Sequence, residues 1–246
     1  MQSIPKGPAL TIIVPTYNEK NNDCLPKLLM VCNELPSSST EVIVIDSNSD
    51  DGSLDQIKKY EQVKCIQINE TSRAARINYG VKIAEGKLIL LHHPRCILSK
   101  EGINHLIDSF KTFKEDAWGG FTITFDHGHP LLKYIAWYSN RIRALKKRIV
   151  YLDHCIFFHA NLKTQLFPIP DVDIFEDTIL SKRLAKFSKP LLIDHSSIAS
   201  AIRFKTRGVV KHFCLNQLLK ILYHLGFDTK RLNTIYEKGC QLNVRL

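Results

Sequence analysis

The sequence predicts an α/β fold, and three observations carry that prediction. Short apolar runs of strand length alternate with segments of helical periodicity, which is the pattern of βαβ units. The connections between them are short, with no low-complexity segment, internal repeat or linker, so one domain spanning residues 1–246 is expected. A chain of 246 residues is also long enough to bury a sizeable core.

The elements follow in order. Leu10–Val14 is a short apolar run and a first strand. Leu25, Leu28, Leu29 and Cys32 then recur at helical spacing, closed by Pro36. Glu41–Asp46 is the second strand, and a helix begins near Ser53 after the turn-forming Asp51-Gly52. Val63–Ile68 is the third strand. The next helix runs from about Arg73 to Glu85, with Gly86 expected as its C-terminal cap. Lys87–Leu91 is the fourth strand.

Beyond Ser99 the rhythm changes. A helix over Lys100–Phe113 leads to a strand at Gly119–Phe125, whose alternation indicates one packed face. Leu131–Arg148 reads as a long amphipathic helix, Cys155–Phe158 as a strand, Glu176–Lys186 as a helix and Pro190–Ile193 as a strand. In Gly208–Leu225 a broad apolar stripe holds Val209, Val210, Phe213, Leu218, Leu219, Ile221, Leu222 and Leu225. Packing against the body of the protein is the expected use of that stripe. Peripheral contact with a lipid surface, aided by Lys211, Lys220 and Lys230, is the other.

A net charge of +10, from 34 basic and 24 acidic side chains, favours anionic partners. The basic run Arg141–Arg148 reads as a solvated helix face, and no interleaving of exposed aromatics supports a nucleic-acid groove, so no nucleic-acid partner is expected. Seven cysteines at irregular spacing, with no CxxC pair, read as reduced thiols in a cytoplasmic setting. The N-terminus lacks the regions of a signal peptide, and no apolar run approaches the roughly 18 residues needed to span a bilayer.

In a doubly wound sheet, ligands bind beyond the carboxyl ends of the strands. The first strand delivers Pro15-Thr16-Tyr17-Asn18-Glu19 there, and the second delivers Asp46-Ser47-Asn48-Ser49-Asp50-Asp51-Gly52. Carboxylates and a flat tyrosine suit a nucleoside, although the same residue types dominate ordinary turns. A third block, Arg73-Ala-Ala-Arg76-Ile-Asn78-Tyr-Gly80 followed by Ala84 and Gly86, completes the pattern. In this order the blocks resemble the family-two glycosyltransferases. The resemblance covers residues 9 to about 236. It implies the GT-A fold, a Rossmann-like nucleotide-diphospho-sugar transferase architecture in one compact domain with a mixed central sheet. Residues 9–98 would be the nucleotide-binding half, 99–205 the acceptor side and 206–246 a C-terminal helical segment.

The resemblance also implies roles. Pro15, Tyr17, Glu19, Asp46 and Asp50 would hold the nucleoside of a nucleoside diphosphate sugar, and Arg73 would lie near its diphosphate. Asn78 and Gly80 read as close-packing positions. Phe175-Glu176-Asp177 resembles the E-D motif of inverting members, making Asp177 the general base with Glu176 beside it. Asp153 and His154, with Arg203 and Arg207, match segments on the acceptor or phosphate side.

One element departs from the family. Where a metal-binding aspartate is expected after the fourth strand, this chain has His92-His93-Pro94-Arg95, with proline at the acidic position. Proline offers no side-chain ligand for Mg²⁺ or Mn²⁺. His92 is a candidate for a different metal, and Arg95 for a fixed positive charge in place of one. His127 and His129 also have ligand-like spacing. Two readings therefore stand: an inverting glycosyltransferase with altered or absent metal dependence acting on an unidentified hydroxyl, and a nucleotide-sugar-binding protein without turnover.

Overall fold

A computed structural model describes residues 7–238. The first half of the chain alternates strands and helices: β1 (Leu10–Thr16), α1 (Cys24–Asn33), β2 (Thr40–Asp46), α2 (Ser53–Ile57), β3 (Val63–Gln67), α3 (Arg73–Ile83) and β4 (Leu88–Leu91). Next come β5 (Cys96–Ile97), α4 (Lys100–Phe110), β6 (Trp118–Phe125) and α5 (Pro130–Tyr138), which runs directly into a π-helical turn at Ser139–Ala144. A 3-10 turn at Leu152–His154 precedes β7 (Ile156–His159), a second at Ala160–Leu162 leads into α6 (Lys163–Leu166), and α7 (Glu176–Leu184) follows. The remainder is β8 (Leu191–Ala199), α8 (Ile202–Arg207), α9 (Val209–His224) and α10 (Thr229–Glu237).

The eight strands form one mixed sheet in the order β3-β2-β1-β4-β7-β6-β8-β5. The first four run parallel, and β7 joins them antiparallel to β4. In the parallel register Thr16 lies opposite Asp46, so the loops that follow β1 and β2 leave the sheet side by side.

Alternation along the buried strands sorts the core into two layers. Ile12, Val14, Val42, Val44 and Leu90 face α1 and α4, packing on Leu25, Leu29, Ile103 and Leu106. Ile13, Ile43, Ile45, Ile89 and Leu91 face the other way, onto Ala74, Ile77 and Val81 of α3 and Leu180 and Leu184 of α7. Gly80 is what lets α3 lie close: a Cβ there would sit 2.5 Å from Cγ2 of Ile13. Its expected packing role fits this contact.

Three expectations are corrected. Gly86 is not a left-handed cap; α3 ends at Ile83, and Gly86 instead touches β1, donating its N–H to Thr11 Oγ1 at 2.8 Å. The long helix over 131–148 breaks at Tyr138, where the π turn begins. The strand at 190–193 continues to Ala199 because its second half pairs with β6 past a register shift at Phe121/Thr122.

The apolar stripe of the C-terminal segment does not simply dock either. In α9 the buried residues are His212 and Leu219, while Val210, Leu218 and Ile221, and Leu225 just past its end, are exposed. The side of α9 that walls a cavity carries Asn216, Gln217 and Lys220 beside Phe213 and Leu219. Among the described residues no helix is long and apolar enough to cross a membrane.

Gly86→Ala tests the close approach, since its Cβ would meet the Thr11 nitrogen at 2.4 Å. Overpacking against backbone should cost at least about 1–3 kcal/mol and lower Tm by roughly 2–12 °C. Gly86→Asn, tolerated at a left-handed cap, should fail equally, whereas Gly128→Ala, which meets nothing within 4 Å, should leave Tm unchanged.

Candidate active site

One cavity of about 740 Å³ lies beyond the carboxyl ends of β1 and β4, between the two halves of the sheet and the C-terminal helices. Its walls are built from many places in the chain: the loop after β1, the start of α3, the segment after β4, the end of β6, α5 with its π turn, the 3-10 turn before β7, the start of α7, and the end of β8 through α8 to α10.

The loops after β1 and β2 are laced together. Asn18, in the left-handed region at φ 50°, donates its N–H to Ser49 Oγ at 2.8 Å, and the Glu19 N–H donates to Ser53 Oγ at 2.7 Å. The Asp46 carboxylate accepts from Thr16 Oγ1 at 2.8 Å and from the Ser49 N–H and hydroxyl, each at 2.7 Å. Asp46 is thus fully buried and spent on loop geometry, not on the cavity. Asp50 is solvent-exposed outside it. Pro15, Tyr17 and Glu19 do line it.

Ser72 caps α3, its Oγ accepting from the Ala75 N–H at 2.9 Å. That sets Arg73 and Arg76 in the first turn, beside free backbone N–H groups. Arg73 pairs through Nε with Glu176 Oε1 at the start of α7. Glu176 is completely buried and absent from the cavity wall, so it acts on Arg73 and on its neighbour Asp177, not on a ligand. Arg76 is also buried, and its Nη1 donates to Ser47 Oγ at 2.6 Å. Burial, and then Arg73, bring its pKa down to about 10, still leaving it charged.

After β4 the chain presents His93 and Arg95. Arg95 Nε lies 3.0 Å from Glu19 Oε2. His93 Nδ1 accepts the Arg95 N–H at 3.0 Å, and its Nε2 lies 3.2 Å from Arg73 Nη1. Burial and the Arg73, Arg95 and Arg203 guanidinium groups hold His93 well below the usual histidine range, hence neutral. His92 is fully buried behind it, with Nδ1 2.9 Å from the His93 carbonyl oxygen, and does not reach the cavity.

Asp177 faces the cavity. Its Oδ2 accepts the Leu152 N–H at 3.1 Å. Burial and the adjacent Glu176 charge raise its pKa to about 6 against the opposing pull of Arg73. Phe175, left-handed at φ 69°, opens α7 and places its ring 4.3 Å from that of Tyr223 on α9. Asp153 lines the same wall, its pKa raised chiefly by burial.

Two acceptor-side candidates do not reach it. His154 is fully buried, Nδ1 at 2.8 Å from the Phe121 carbonyl oxygen, and burial followed by Arg143 depresses its pKa to about 3. Arg207 turns to His212 and the Lys238 carbonyl. Arg203 lines the cavity in a bidentate pair with Glu237 at 2.8 and 3.2 Å. Tyr151, which opens the segment that holds Asp153, also lines it, and so do Arg143 and Lys220, which were not expected there.

Among the described residues, the ligand atoms that converge are those of His93, Cys96 and Asp153, within 4.8 Å of one another. Mg²⁺ and Mn²⁺ favour oxygen-rich, near-octahedral sets. This group offers one carboxylate, and its thiol is held protonated by burial, with Cys96 far above the usual range. The surrounding guanidinium groups add repulsion. These residues do not fit a hard divalent cation.

The family model described as glycosyl transferase family 2 matches residues 11–163. A poly(ribitol-phosphate) beta-glucosyltransferase from Bacillus spizizenii is 36% identical over 89 residues, which is 33% of this chain and 14% of that protein's length. The fold is similar to that of S. aureus TarS residues 1–349 in complex with UDP-GlcNAc (TM-score 0.63, 15% identity, 95% of this chain and 72% of that one). It is also similar to the mannosyltransferase PcManGT from Pyrobaculum calidifontis in complex with GDP-Man and Mn²⁺ (TM-score 0.65, 16% identity, 96% and 70%).

Glu176→Gln should lower the Asp177 pKa from about 6, because it removes the neighbouring charge that raises it and leaves Arg73 in place. Carboxyl ¹³C titration by NMR reads the shift; an unchanged or higher value would contradict the assignment.

Proposed function

The chain belongs to glycosyl transferase family 2 and has its GT-A fold, and on that premise we propose that it transfers a glycosyl group from a nucleoside diphosphate sugar to an acceptor hydroxyl, with inversion. The observation that carries this reading is that Asp177 and a set of guanidinium groups share one cavity. Pro15, Tyr17 and Glu19 would border the nucleoside, as loop residues beyond β1. Arg73, Arg76 and Arg95 would face the diphosphate.

Asp177 takes the proton of the acceptor hydroxyl as that oxygen bonds to the anomeric carbon. The bond from that carbon to the β-phosphate oxygen breaks, its electron pair stays on the phosphate, and the nucleoside diphosphate leaves. Negative charge grows on the leaving oxygen, and fixed cations in a partly dry cavity stabilise it without reorganising. Arginines would thereby fill the role of a divalent cation, in keeping with the poor fit of His93, Cys96 and Asp153 to such an ion. A base whose pKa lies near 6 is poised for proton abstraction at neutral pH, which supports turnover over nucleotide binding alone.

Purified protein given a panel of nucleotide sugars and candidate acceptors should release nucleoside diphosphate at a rate that survives EDTA. The kcat/KM should rise with pH through about 6, as Asp177 ionises, and then level off. Asp177→Asn should cost about 10²–10⁴-fold in kcat. Nucleotide binding without turnover across the panel, or activity abolished by EDTA and restored by Mn²⁺, would overturn this reading.

A further inference from the structure

Two buried arginines in the cavity wall, Arg76 and Arg143, have no carboxylate within ion-pairing distance among the described residues. Each also has an Nε without a hydrogen bond. Asp153 and Asp177 act on Arg143 only from beyond ion-pairing distance, and a buried cation without a direct partner is costly, so an arriving anion lowers that cost. Arg76, one helical turn from Arg73, is accounted for by the donor diphosphate. Arg143 lies elsewhere and is not.

The π turn delivers Arg143 to the cavity. Its guanidinium lies 3.6 Å from the centre of the Tyr151 ring, with Nη2 3.3 Å from His154 Nε2. Because His154 is anchored on the Phe121 carbonyl, the arginine is held from behind and from one face. Lys220 of α9 reaches the same tyrosine, its Nζ 5.8 Å from the ring centre. Burial, and then Arg143 and Lys147, press the Lys220 pKa down to about 8, while Asp177 draws it up. Like charges are thus crowded beside the base, whereas the charges that act most on Arg76 are those of Arg73, Asp46, Glu176 and Glu19.

We propose that the acceptor carries a phosphate ester, bound by Arg143 and Lys220, which sets its hydroxyl against Asp177. A guanidinium fork joined by an ammonium suits a tetrahedral phosphate; a lone carboxylate would be matched by the arginine alone. This rests on the acceptor side assigned to Asp177 above.

The test titrates sn-glycerol 3-phosphate, glycerol and inorganic phosphate into the full chain by calorimetry, with and without a saturating nucleoside diphosphate. Glycerol 3-phosphate should bind in both conditions, alongside the nucleotide, and glycerol should not bind. Arg143→Gln and Lys220→Gln should each weaken that binding by at least about tenfold while the nucleotide affinity changes less than about twofold. Inorganic phosphate should bind with the same dependence on Lys220. Arg143→Lys, which keeps the charge, and the more accessible Lys220 site cover the case in which Arg143→Gln does not fold. Competition between glycerol 3-phosphate and the nucleotide, equal binding of glycerol, or full affinity in the folded variants would overturn the proposal. Loss of nucleotide binding alone would strike at the donor reading and leave the anion site to be judged on its own titration.

Discussion

The ion pair between half-buried Arg73 and fully buried Glu176 joins the first turn of α3 to the first turn of α7, across 103 positions of sequence. Much of the site depends on it. It fixes a cation at the diphosphate side, and it places a negative charge beside Asp177 that helps raise that carboxyl toward neutrality. The same seam is reinforced by Ser72 donating to Asp171 and by Asn78, whose amide exchanges bonds of 2.8 and 2.9 Å with the backbone of Ile169. Breaking the pair would leave Glu176 as a charge in a completely buried position, which is among the costliest single changes a protein can suffer.

Charge in the cavity is distributed unevenly. Arg95 and Arg203 sit against Glu19 and Glu237, so their positive charge is partly neutralised and their geometry held. Arg76 and Arg143 are packed instead against hydroxyl, carbonyl, imidazole and aromatic groups, which orient a guanidinium without neutralising it. Fixed cations of that kind cost stability in the free protein and serve where an anion must be met. Active sites commonly hold groups in such environments.

The parallel half of the fold was legible because strands buried on both faces leave unbroken apolar runs, as in Leu10–Val14 and Leu88–Leu91. Asp177 was legible through its motif, and Pro15, Tyr17, Glu19, Arg73 and Arg95 through their place after the strands. Other residues were hidden for physical reasons. Arg143 sits in a basic run that periodicity assigns to solvent, and only the wider π turn rotates it inward. Lys220 lies within an apolar stripe, on a helix that walls the cavity with polar and apolar residues together. Asp46 has the right position, but three hydrogen bonds turn its carboxylate into the loop. At two residues, β5 is too short to leave a pattern at all.

The most direct measurement is a crystal structure of the protein with an intact, non-hydrolysable nucleoside diphosphate sugar, grown once with EDTA and once with Mn²⁺. Both should show the diphosphate oxygens bonded to Arg76 and Arg73 or Arg95, no ion between them and His93 or Asp153, and the open face of the anomeric carbon turned toward Asp177. A cation bridging the diphosphate to Asp153 in the Mn²⁺ crystal, with the nucleotide absent from the EDTA crystal, would contradict the assignment of the diphosphate to arginine.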